Sequence, residues 1–98
     1  MTEVMELGSS IELIDFKDVE RDKFVVVKKI VGNFVKRLQD NNSGFERLSL
    51  HLKKVHNNEY EILGKLNMAG KMYNSEIIDY NLFYALNGIL KKLENGSS

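Results

Sequence analysis

Cysteine and proline are both absent from the 98 residues, and each absence narrows what the chain can be. Without cysteine there is no disulfide framework, no thiol nucleophile and no cysteine-bearing zinc site. Without proline, glycine and asparagine supply the punctuation, and breaks fall at 40–44, 56–58, 67–70 and 95–98. Long apolar runs are missing too. None approaches the roughly 20 residues that a membrane span needs, and residues 1–10 lack the basic start and apolar stretch of a signal peptide. A cytoplasmic domain without a membrane partner is expected.

Reactive constellations are equally scarce. No Ser-His-Asp or Cys-His set is suggested, and the acids crowd toward the N-terminus. His51 and His56 are five residues apart, which puts them on opposite faces of a straight strand with no acid cluster beside them. Gly64 and Gly70 read as a strand bulge and a turn, since no Gly-rich strand-to-helix junction exists. The expectation is a protein that binds a partner, with no catalysis, no cofactor, no metal and no small-molecule substrate.

Net charge is zero, but the signs are segregated. Residues 1–22 hold seven acids against Lys17 and Arg21; residues 23–56 hold eight bases against Asp40 and Glu46; the remainder is nearly balanced. A basic middle block points toward an anionic partner, unless acids and bases lie on different solvated faces of one compact domain.

The apolar period defines the elements. From Val19 to Gln39, residues Phe24, Val27, Val31, Phe34 and Leu38 recur at helical spacing, flanked by Ile30 and Val35. Asp18 or Asp22 can cap this helix. From Phe45 the period falls to two: Leu48, Leu50 and Leu52 alternate with Arg47, Ser49, His51 and Lys53. A turn at Asn57-Asn58 leads into a strand alternating Tyr60, Ile62, Gly64, Leu66 and Met68, and Ala69-Gly70 turns into a third from Lys71 to Ile78. A closing helix, capped by Asp79 or Asn81, buries Leu82, Phe83, Leu86, Ile89, Leu90 and Leu93. Ile11 to Phe16 reads as an edge strand before the first helix. The order is β-α-β-β-β-α, an α+β two-layer sandwich with both helices on one face of a mainly antiparallel four-stranded sheet. Residues 1–10 are set apart as a flexible N-terminal segment, 11–94 as the single domain and 95–98 as a flexible tail.

The second half of this pattern resembles a known family. Leu48 to Val55 (Leu-Ser-Leu-His-Leu-Lys-Lys-Val), and Asn67 to Asp79 (Asn-Met-Ala-Gly-Lys-Met-Tyr-Asn-Ser-Glu-Ile-Ile-Asp) after it, are similar to the meander of the hibernation-promoting factor and ribosome-associated inhibitor A family. Asn81 to Glu94 is similar to that family's closing helix, with Phe83, Ala85, Leu86, Lys92 and Leu93 at its pattern positions. Asn81 stands where an acidic cap is usual, and Tyr84 where an alanine is usual. The resemblance implies the short form of the family: a non-catalytic factor that occupies the tRNA and messenger channel of the small ribosomal subunit and contacts ribosomal RNA through basic side chains.

The candidate RNA-binding residues are Lys28, Lys29, Lys36 and Arg37 on the first helix, Arg47, His51 and Lys53 on one strand face, and Lys91 and Lys92 on the closing helix. Each is also readable as solvated surface. Two other readings stay open. The α-β-β-β-α order is that of double-stranded RNA-binding domains, although their basic cluster is replaced here by Asp79-Tyr80-Asn81. An interaction or self-association module could instead use the open sheet face, where Leu63, Met72 and Ile78 form an apolar patch. A monomer or weak dimer is expected.

Overall fold

The computed structural model describes residues 4–8, 10–41, 43–54 and 58–97. The chain runs through strands β1 (Val4–Glu6) and β2 (Ile11–Ile14), helix α1 (Arg21–Asp40), strands β3 (Phe45–Lys54), β4 (Tyr60–Met68) and β5 (Lys71–Asp79), and helix α2 (Leu82–Ser97). The strands lie side by side in chain order in one sheet. All neighbours are antiparallel except β2 and β3, which run parallel, with α1 as the crossover between them.

The sheet therefore has five strands, not the expected four. The additional one is Val4–Glu6, in the segment set apart at the N-terminus. It folds back on β2 in the register Val4↔Ile14, Met5↔Leu13 and Glu6↔Glu12. In consequence β2 is an interior strand and not an edge. This β2–β3 parallel pair is also an element that the α-β-β-β-α order lacks.

Burial follows the expected periods. Leu48, Leu50 and Leu52 on β3 and Ile62, Leu66 and Met68 on β4 join Ile11, Leu13 and Phe16 beneath the helices. Val27, Val31, Phe34, Val35 and Leu38 come down from α1, and Leu82, Ala85, Leu86, Ile89, Leu90 and Leu93 from α2. They form one cluster, so both helices share one sheet face. Phe24 and Phe83, expected in the stripes, are half-buried at its rim.

Two local details differ from expectation. Neither Asp18 nor Asp22 caps α1: the N-cap is Glu20, and its side chain makes no capping bond. Gly64 is not a bulge. The register irregularity of the β3–β4 pair lies between Phe45 and Arg47, whereas Gly64 pairs regularly with Leu50 and Ser75. A Cβ at Gly64 would lie 2.9 Å from Leu93 Cδ1 and 3.0 Å from Ile89 Cγ1, so its missing side chain lets α2 approach the sheet. The expected hairpin at Asn57-Asn58 lies partly outside the described residues, and His56 wholly so; Asn58 has φ of 62°.

Elsewhere the turn chemistry agrees with the sequence. Ala69 (φ 53°) and Gly70 (φ 77°) both lie in the left-handed region between the paired Met68 and Lys71, as a two-residue type I′ hairpin requires. Asn81 caps α2, its Oδ1 accepting from the backbone N–H of Phe83 at 2.9 Å and of Tyr84 at 3.1 Å. Asp79 Oδ1 in turn accepts from the Asn81 N–H at 2.9 Å, which fixes the strand-to-helix corner.

Candidate nucleic-acid interface

The strand row comes first. Alternation along β3 turns Arg47, Ser49, His51 and Lys53 to the sheet face away from the helices. The parallel register sets Glu12 beside Ser49 and Ile14 beside His51. Arg47 Nη2 donates to Glu12 Oε2 at 2.8 Å and lies 3.5 Å from Glu6 Oε1. Ser49 Oγ donates to the other Glu12 oxygen at 2.9 Å. Asp15, whose φ of 63° turns the chain out of β2, brings Oδ2 to 2.7 Å from His51 Nε2.

The hydrogen bonds from Ser49 and then Arg47 hold the Glu12 carboxyl below its ordinary pKa, against a smaller opposing effect of burial. Glu12 in turn raises the Arg47 guanidinium above its ordinary value. Acids that lie more than thirty residues upstream thus answer the basic row. This accounts for part of the charge segregation: Glu6 and Glu12 of the N-terminal strands are neighbours of Arg47 on β3, whereas five of the eight bases of the middle block lie on α1. Lys53 makes no ion pair among the described residues. Lys65, overlooked in the sequence, joins the row because it is paired opposite Ser49. Arg47, His51 and Lys65 line a shallow hollow of about 360 Å³ together with Glu12, Asn67 and Met72.

The helix side is arranged differently. Lys28, Lys29, Lys36 and Arg37 are all exposed on α1, and Lys91 and Lys92 on α2. Lys28 Nζ sits 5.3 Å from the Phe24 ring centroid, and the Arg37 guanidinium 5.6 Å from that of Phe34. Arg37 bridges the helices through Glu94, with contacts of 3.0 and 3.2 Å. Between α1 and α2 runs an open cleft of about 510 Å³, lined by Asn33, Phe34 and Arg37 on one side and Asn87, Lys91 and Asn95 on the other. The Asn33/Arg37 and Asn87/Lys91 pairs sit at a helical i, i+4 spacing, a pattern overlooked in the sequence. Lys92 points elsewhere, donating from Nζ to the Glu76 carbonyl of β5 at 3.1 Å.

The nine candidates therefore do not form one surface. Arg47, His51 and Lys53 lie on the outer sheet face; Lys28, Lys29, Lys36, Arg37 and Lys91 lie on the helical face; Lys92 lies at the β5 side. Among the described residues no group of three or more His, Cys, Asp or Glu side chains is disposed to hold a metal. No helix among them is long and apolar enough to cross a membrane.

Two solved structures superpose on this fold of two helices on one face of a five-stranded mixed sheet. The N-terminal domain of Protein Y from Thermus thermophilus superposes with a TM-score of 0.62 at 18% identity, over 95% of this chain and 96% of that one. A ribosomal subunit interface protein from Coxiella burnetii superposes with a TM-score of 0.61 at 11% identity, over 81% of each chain. No family model matches the sequence, and no curated protein does. At the level of fold, the resemblance drawn from residues 48–94 is the one these structures carry.

Proposed function

We propose that this chain is a ribosome-associated, non-catalytic RNA-binding factor of the cytoplasm that occupies the tRNA and messenger channel of the small subunit and restrains idle ribosomes. The observation that supports this reading is the fold shared with a ribosomal subunit interface protein over 81% of the chain, and with the Protein Y N-terminal domain over 95% of it. Charge placement refines it. Backbone phosphates are held by cations that release counterions on contact, and a cation already bound to a carboxylate has less to offer. The Arg47–Glu12 and His51–Asp15 pairs disfavour the outer sheet face. The exposed Lys28, Lys29, Lys36 and Lys91, with the Asn-lined cleft beside them, favour the helical face.

Sedimentation with purified ribosomal subunits at two salt concentrations tests the proposal. The expected result is co-sedimentation with the small subunit at low salt and release at high salt. Failure to co-sediment at low salt removes it.

A further inference from the structure

Strand β5 ends the sheet, and its outer edge carries a pattern that has no use within one chain. The backbone direction of each residue along it follows from the ladder. Leu48 N–H donates to the Ser10 carbonyl beside β2, so the odd-numbered residues of β3 face β4. The registers Ser49↔Lys65 and Gly64↔Ser75 carry that alternation across β4. Lys71, Tyr73, Ser75, Ile77 and Asp79 therefore exchange hydrogen bonds with β4, while Met72, Asn74, Glu76 and Ile78 turn their N–H and C=O groups outward. The Lys92 Nζ contact to the Glu76 carbonyl agrees, because it reaches the strand from the open side.

This edge has few of the usual guards. It is nine residues long, its pairing with β4 has no register shift, and the sequence has no proline. An edge of that kind is a template for another strand. At the opposite side of the sheet, β1 offers three residues.

We propose that β5 pairs antiparallel with β5 of a second copy of this chain, about a two-fold axis at Ser75, joining two sheets into one. The sequence of the strand is self-complementary about that point. Lys71 falls opposite Asp79 of the second copy, Met72 opposite Ile78, Tyr73 opposite Ile77 and Asn74 opposite Glu76. On the outer face the Met72–Ile78 pair covers two side chains that are 59% and 51% exposed in the single chain. On the helix side Tyr73 and Ile77 extend the existing core. The outward-facing pairs, Met72 with Ile78 and Asn74 with Glu76, are the ones that exchange backbone hydrogen bonds, and the Lys–Asp pairs close the two ends.

The neighbouring registers are worse. Centring on Glu76 sets glutamate against glutamate, and centring on Asn74 sets Met72 against Glu76 and Lys71 against Ile77. A shift by a single residue mismatches the inward and outward backbone groups. Lys92 is the guard at this edge: the carbonyl it holds must share its second lone pair with the incoming Asn74 N–H, which keeps the association reversible.

Sedimentation velocity of the full chain over a range of concentrations tests this inference independently of any ribosome. The expected result is a reversible monomer–dimer equilibrium. Asn74→Pro removes an outward N–H and leaves the β4 ladder intact, so it should raise the dimer Kd by at least about tenfold. In a chain without other cysteines, Ser75→Cys meets its own symmetry mate at a Cα separation of about 4.5 Å, close enough for a disulfide. It should cross-link on mild oxidation, whereas Gln39→Cys on α1 should not. A wild-type chain that stays monomeric to its solubility limit overturns the proposal. So does a dimer that Asn74→Pro leaves unchanged, or one in which the two cysteine variants cross-link alike.

Discussion

Glu12 accepts from both Ser49 and Arg47, and this pairing makes the outer face pH-sensitive in a defined direction. Its folded pKa lies below the ordinary glutamate value of 4.5. The contribution is therefore fully present above that value and is lost as pH falls through the lower folded one. Urea midpoints of the wild type and Glu12→Gln should differ at neutral pH and converge in acid; a gap that widens on acidification would contradict the assignment. Ala69 provides a second residue-scale test. An alanine at φ 53° carries a left-handed cost that asparagine largely avoids. Ala69→Asn should stabilise by about 0.5–1 kcal/mol, read as a higher denaturation midpoint with unchanged slope.

At the scale of elements, the fit of α2 on the sheet depends on Gly64. Leu93 and Ile89 occupy the space a Cβ would take, and overpacking of this kind costs about 1–3 kcal/mol. Gly64→Ala should lower the unfolding free energy by that amount, although alanine has the better intrinsic strand entropy. A neutral result would mean that α2 can ride outward without loss. The elements themselves were legible because their periods are clean: Leu48, Leu50 and Leu52 could only be a one-sided strand, and the α2 stripe could only be a helix. Val4–Glu6 was not legible. Three residues set no period, and the turn signal after them, Gly8 at φ 73°, was passed over because no strand was expected before it. Gly64 was misread for a related reason. A glycine within a strand marks either a bulge or a close approach, and the choice is made by Leu93 and Ile89, about twenty-five to thirty residues downstream.

For the molecule as a whole, the candidate interface was legible as a set of cations but not as a surface. Which of the strand-row cations stand clear of carboxylates depends on the parallel β2–β3 register, and the helix between those strands hides that register from the sequence. Glu12 beside Arg47 and Asp15 beside His51 turned an apparent basic row into a balanced one. The α1 cations, by contrast, kept the outward placement that their helical spacing implied. The zero net charge is thus compatible with a local positive field on the helical face, since charges separated by more than about 8 Å are largely screened at physiological salt.

The most direct test compares binding to the small ribosomal subunit by two charge-reversal variants. The first combines Lys28→Glu, Lys29→Glu and Lys36→Glu on the helical face; the second combines Lys53→Glu and Lys65→Glu on the outer sheet face. The account predicts that the helical variant loses at least about tenfold in affinity at low salt with a shallower salt dependence, while the sheet variant binds nearly as the wild type does. Loss of binding by the sheet variant with retention by the helical one would contradict it.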